Sequence, residues 1–335
     1  MAHQKSFFNL SRSQKFRALF LALPAAAALF GVTAARAANR EPFVKQTFVY
    51  KTVNGCGLRA DFYPAPGNAV RPLIFWIHGG ALMMGHRGNL ERDHLERYIR
   101  AGFSVLSIDY RLAPETKLPG ILDDVQDAYH WARSMAPKLR IDPDRIAVVG
   151  HSAGGYLALA SGYLFHPRPR AIVSFYGYGD IAGAWYSEPS PFYSRKAMVS
   201  RADALKAISG GVPCGGKNPP QRFLFYLYCR QQGLWPKEVT GLDPHTNPRA
   251  FDRFCPIRNV QSDYPPTMLL HGDKDTDVPF EQSVGMYDEL KRHHIECEFI
   301  PVAGGGHGFD SRKMNDPEIS ADFDRVIAFL KRHLD

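Results

Sequence analysis

Gly150-His151-Ser152-Ala153-Gly154 sets a lone serine between a short apolar run at 146–150 and a helical pattern at 154–165. A serine hydroxyl is a weak nucleophile until a neighbouring base takes its proton. A glycine-rich turn from strand to helix suits that task, because it exposes Oγ on one side and a helix-start N–H on the other. Upstream, His78-Gly79-Gly80-Ala81 closes another apolar run, where small residues let backbone amides approach a developing oxyanion. Gly80, Ala81 and Ala153 are the expected donors. If position 81 needs a positive φ, alanine there costs about 1 kcal/mol. Downstream, Asp273, Asp275 and Asp277 crowd one loop and His307 stands in Gly306-His307-Gly308-Phe309. Serine, acid and histidine in that chain order suit acyl transfer to and from a serine oxygen, with His307 as general base.

The three aspartates differ in placement. Asp273 adjoins the turn at Gly272 and is expected to brace the loop. Asp277 precedes Val278-Pro279, where the pre-proline residue is held extended, so it is expected to face solvent or cap the following helix. Asp275, at the apex, is expected to reach the imidazole Nδ1–H of His307. Four other polar residues have plainer expectations: His151 points away from the cleft, His78 and Asp109 tie loops together, and His271 closes a strand.

The elements that must position these groups read as alternating β and α segments. Continuous or alternating apolar runs place strands at 46–52, 58–63, 72–78, 103–110, 146–150, 171–176, 267–271 and 296–302. Helical patterns fall at 90–100, 121–136, 154–165, 280–293 and 319–333, the last with Phe323, Val326, Ile327 and Leu330 on one face. Such alternation implies a mostly parallel eight-stranded sheet flanked by helices, an α/β fold. Residues 178–263 break the pattern between strands 6 and 7. They are rich in Pro, Gly and aromatics, including Trp185, Tyr186, Phe192, Tyr193, Phe223, Phe225, Tyr226, Tyr228 and Trp235, and read as a cap-like insertion.

With 335 residues, 45% of them hydrophobic, the chain can bury a large core. Lys5, Arg12, Lys15 and Arg17 precede an apolar run at 18–32 that ends near Ala35-Arg36-Ala37, the anatomy of a secretory signal peptide cleaved after Ala37. The run is too short and too interrupted by Pro24 to span a bilayer, so no stable membrane span is expected after processing. Residues 1–37 hold five basic and no acidic residues, which leaves 38–335 with 36 basic against 33 acidic, a charge of +3. That balance gives no case for nucleic acid, and no zinc-type cysteine pair or Gly-rich phosphate loop implies a metal or cofactor. Export to a secreted or periplasmic location permits disulfides. Cys214, Cys229 and Cys255 cluster in the insertion, so two of them are expected to pair there.

Five motifs in order, His78-Gly79-Gly80-Ala81, Asp109 to Glu115, Gly150 to Gly155, His271 to Pro279 and Gly306 to Phe309, carry a resemblance that covers nearly all of 45–335. The chain resembles the α/β-hydrolase superfamily, and within it the bacterial carboxylesterases similar to hormone-sensitive lipase and to acetyl and feruloyl esterases. The resemblance implies Ser152 as nucleophile, His307 as base, Asp275 as the residue orienting it, and residues 109–115 as a brace beneath the oxyanion loop. It implies a secreted ester hydrolase of small-molecule substrates with no cofactor. The loop at 271–279 also looks like that of oligopeptidase catalytic domains, so a serine peptidase or amidase is the alternative reading, and a non-catalytic binding protein on the same scaffold a third.

Overall fold

A computed structural model describes residues 43–209 and 219–335, and those from Val44 onward form one compact unit. The expected signal segment lies outside the described residues. In chain order the elements are β1 (Gln46–Val53), β2 (Cys56–Tyr63), β3 (Arg71–Ile77), α1 (Arg92–Arg100), β4 (Ser104–Ile108), α2 (Leu118–Ser134), α3 (Ala136–Leu139), β5 (Ile141–His151), α4 (Ala153–Leu164) and β6 (Ala171–Phe175). There follow α5 (Ala184–Ser187), α6 (Arg201–Lys206), α7 (Arg222–Gln232), α8 (Trp235–Thr240), β7 (Thr267–Gly272), α9 (Glu281–Arg292), β8 (Cys297–Val302) and α10 (Pro317–Leu334).

The eight strands form one sheet in the order β1-β2-β4-β3-β5-β6-β7-β8. β2 pairs antiparallel with β1 and β4, and the remaining neighbours run parallel. This is the α/β-hydrolase architecture, and the central strands are buried on both faces, which is why β3 and β6 read as unbroken apolar runs. β5 starts five residues earlier than its apolar run, because Arg71 pairs with Ile141 before a register shift carries Leu73 onto Ile146. α2 starts at Leu118 with Pro119 in its first turn, where a missing N–H costs nothing.

Between β6 and β7 the described residues hold four short α-helices, α5 to α8, and no strand. Tyr186 stacks between Trp185 and Trp235, with ring centroids 3.6 and 3.9 Å away, so these aromatics form the insertion's own core. The expected disulfide does not form there: Cys229 and Cys255 are buried free thiols. Burial pushes the Cys255 thiol up to about 12. Among the described residues Cys56 is disulfide-bonded, and Cys214 lies outside them. No helix among the described residues is long and apolar enough to cross a membrane.

Candidate active site

Ser152 follows β5 directly and caps the start of α4, with φ 55° and ψ −120°. For a non-glycine residue that conformation costs about 1–3 kcal/mol and persists only where its surroundings enforce it. Two hydrogen bonds do so: Ser152 N–H donates to Phe175 C=O and Tyr156 N–H donates to Ser152 C=O, both at 2.9 Å. Glycine at 150 is required by proximity, since a Cβ there would lie 2.1 Å from Gly154 C=O.

The parallel strands bring the acid and histidine loops to the same edge. Ser152 Oγ lies 3.0 Å from His307 Nε2, and His307 Nδ1–H donates to Asp275 Oδ2 at 2.8 Å. This assigns the proton to Nδ1 and leaves the Nε2 lone pair facing the serine hydroxyl. Asp275 is fixed from three further directions. Its Oδ1 accepts the Asp277 and Val278 N–H groups at 2.8 and 3.0 Å, while its Oδ2 lies 3.2 Å from His271 Nε2. Burial alone would raise the Asp275 pKa, but the hydrogen bonds from His271 and His307 hold it well below the usual carboxylate range. Burial likewise disfavours the charged His307 ring. The Asp275 hydrogen bond and the charges of Asp277, Asp275 and Asp310 outweigh that, and its pKa stands above the ordinary imidazole value.

The turn after β3 lies against the elbow: a Cβ on Gly79 would stand 3.2 Å from Ser152 Cβ. Gly80 has φ 110°, and both Ala81 and Leu82 are left-handed at φ 54° and 60°. Position 81 therefore does carry a positive φ, and alanine tolerates it at a cost of about 1 kcal/mol. Met83 and Met84 N–H both return to Gly80 C=O, and the Gly80 and Ala81 amides take no part in that turn. Ala153 N–H is the first amide of α4, on the positive end of the helix dipole. Beneath the turn Tyr110 O–H donates to His78 C=O at 2.9 Å, and Asp109 accepts from Arg87 N–H at 2.8 Å, so residues 109–115 do brace it.

Two expectations need correction. Asp277 neither faces solvent nor caps α9: it accepts from Tyr226 O–H and from Arg230 Nη1 at 3.0 Å, and its Oδ2 lies 3.6 Å from His307 Nε2. The insertion supplies these partners, and the sequence around Asp277 itself carries no trace of them. His151 does not turn away either. It lines the same cavity as Ser152, stacks on Phe175, and its Nε2–H donates to Asp310 at 3.0 Å. Asp273 behaves as expected, accepting Gly304 N–H at 2.7 Å and so tying the acid loop to the histidine loop.

Among the described residues, His94, His151 and Asp310 bring ligand atoms within 4.8 Å of one another. They fit a metal poorly. Trp76 Nε1–H donates to His151 Nδ1 at 3.2 Å, so a neutral ring carries its proton on Nε2 and offers a donor there, not a lone pair. Burial alone would raise the Asp310 pKa, but His151, His94 and the Tyr176 O–H outweigh it and bring it down to about 2.

Above Ser152 opens a cavity of about 380 Å³ whose cap side is formed by Tyr193, Phe223 and Tyr226. That is the size of a small-molecule site. Sequence reading found the aromatics but missed Arg222 and Arg230. Their trace was legible: two arginines eight residues apart in the apolar stretch Arg222 to Arg230, where unpaired charge is costly.

Comparisons with known proteins bear on the fold. A family model described as BD-FAE matches residues 61–169, and the prolyl oligopeptidase family model matches 223–335. Among curated proteins, the non-reducing polyketide synthase pkbA of Emericella nidulans is 29% identical over 86% of this chain and 14% of its own length. The synthase Preu3 of Preussia isomera is 29% identical over 79% of this chain and 12% of its own. The chain thus spans about one seventh of such relatives or less. Among solved structures, an α/β hydrolase superfamily protein from Enterococcus faecalis aligns at TM-score 0.69 and 24% identity, over 87% of this chain and 100% of that one. A Thermogutta terrifontis esterase with bound butyrate aligns at TM-score 0.60 and 21% identity, over 85% and 94%. With the shared sheet in place, the chain has the α/β-hydrolase fold.

Proposed function

We propose that the protein is a secreted serine carboxylic-ester hydrolase working through an acyl-enzyme. The reading is carried by the continuous contact from Ser152 Oγ to His307 to Asp275, at 3.0 and 2.8 Å. His307 takes the serine proton as Oγ bonds to the ester carbon, and the carbonyl oxygen gains negative charge against the Gly80, Ala81 and Ala153 amides. Collapse breaks the bond to the alcohol oxygen, which leaves with the proton from His307. Water then gives its proton to His307, attacks the acyl carbon and frees the acid and Ser152. Support comes from the esterase among the structural neighbours, also solved with propionate bound and phosphonylated by sarin.

The prolyl oligopeptidase match over 223–335 favours a second reading, a serine peptidase or amidase using the same three residues. A chain-length panel of p-nitrophenyl esters beside a peptide p-nitroanilide separates the two. Ester turnover that Ser152→Ala abolishes, with no anilide cleavage, is the expected result; cleavage of the anilide alone favours the peptidase. Export is tested by sequencing the mature N-terminus, which should begin at Ala38 in the periplasmic or secreted fraction.

A further inference from the structure

We infer that the cap helix α7 is a positioning element for the whole site, acting through Arg222 on the oxyanion turn and Arg230 on the acid loop. Arg222, Tyr226 and Arg230 stand at i, i+4 and i+8, one stripe of a single helix.

At one end the Arg222 guanidinium, 2% exposed, makes four hydrogen bonds: to Met83 C=O at 2.7 Å, to Ala113 C=O at 2.7 Å, and to both Glu115 oxygens at 2.6 and 2.8 Å. Trp235, in the next helix α8, donates its Nε1–H to Ala81 C=O at 3.0 Å. The insertion therefore grips the carbonyls of residues 81 and 83 from outside, one within the left-handed pair Ala81 and Leu82 and one just after it. A peptide plane is rigid. Fixing Ala81 C=O and Met83 C=O limits how the turn carrying the Gly80 and Ala81 amides can tilt.

At the other end, Arg230 Nη1 donates to Asp277 C=O at 3.1 Å and Oδ1 at 3.0 Å, and Tyr226 O–H donates to the same carboxylate. Asp277 N–H in turn donates to Asp275 Oδ1 at 2.8 Å. The chain of contacts thus reaches the group that orients His307. Between the two ends, Phe223 and Tyr226 line the cavity that substrate would fill. One helix senses the occupant and holds both the donors and the acid loop, so a good fit in the cap is expressed in kcat as well as in KM.

The inference rests on the reading of Gly80 and Ala81 as oxyanion donors. Its test measures kcat and KM on p-nitrophenyl butyrate, and the inhibition constant of a trifluoromethyl ketone, for Arg222→Met, Arg222→Lys, Arg230→Met and Trp235→Phe. Trp235→Phe keeps a six-membered aromatic ring for stacking and deletes the N–H with the rest of the indole, so with its melting temperature measured alongside it decides the matter if the arginine variants fail to fold. Loss of an oxyanion donor costs about 10²–10³ in kcat, and a displacement of about 1 Å costs up to about 10². Trp235→Phe is expected to lower kcat about tenfold and Arg222→Met about a hundredfold, with KM within about threefold. Ketone binding should weaken in proportion, and Arg222→Lys should recover part of the loss. Wild-type kcat and ketone affinity in folded Trp235→Phe and Arg222→Met, or a change in melting temperature alone, overturn the inference. Full turnover by Ser152→Ala instead overturns the underlying reading.

Discussion

The central sheet and the cap inserted between β6 and β7 are held together by different forces. In the sheet, Leu73, Ile74, Phe75 and Ile77 of β3 are wholly buried, and packing with backbone pairing does the work. The cap has an aromatic core, but it meets the site through directed polar contacts: Arg222 to Glu115, Arg230 to Asp277, Trp235 to Ala81. Packing tolerates any neighbour of suitable volume, whereas a buried ion pair demands one partner in one geometry. The sheet therefore sets where Ser152, Asp275 and His307 stand. The cap sets how finely they are aimed.

Substitutions in each region sharpen or break that division. The largest effect belongs to the sheet-borne acid: Asp275→Asn favours the wrong His307 tautomer and should lower kcat about 10³–10⁴-fold on an ester substrate. A fold-competent Asp275→Asn protein within tenfold of wild type would contradict it. Next, Phe75→Ala removes a ring packed against Tyr129 and Phe165 and should cost about 3–5 kcal/mol in urea unfolding. Phe223, 43% exposed on the cap, should change stability by about 0.5 kcal/mol or less when replaced by Ala, while raising KM for bulky esters several-fold. If the two stability costs match, the division fails.

Asp277→Asn probes the seam between the regions. His307 acts as base only when unprotonated, so its raised pKa places the acid limb of kcat/KM above the ordinary value of 6.5, with activity present above the limb and lost as pH falls through it. Asp277 contributes charge that favours the imidazolium, so Asp277→Asn should move the limb to lower pH and cost about tenfold or less in kcat. A profile from pH 5 to 9 that stays put or moves upward refutes this. The smallest effect is expected at Asp273→Asn, which loosens only the link to Gly304, with kcat within a few-fold of wild type.

The same division explains what could be read before the structure. All eight strands, save the first five residues of β5, and the placing of Ser152, Asp275 and His307 followed from apolar periodicity and motif order, because parallel strands put their following loops on one edge. The partners of Asp277, the cavity face of His151 and the free state of Cys229 and Cys255 did not follow. Each depends on residues brought together across long stretches of chain, as Tyr226 and Asp277 are, and no local period encodes such a meeting. Asp273 was legible because its partner, Gly304, lies on the loop after the adjacent strand.

The parallel pairing of β6 with β7, across the entire cap, has a kinetic consequence. Ser152 lies on the near side of that seam, and Asp275 and His307 on the far side. Closing it requires a long loop to be ordered, and non-local parallel pairing is among the slower events in folding. During refolding, helical signal should return before hydrolysis does, so the regain of turnover times the zipping of one strand pair.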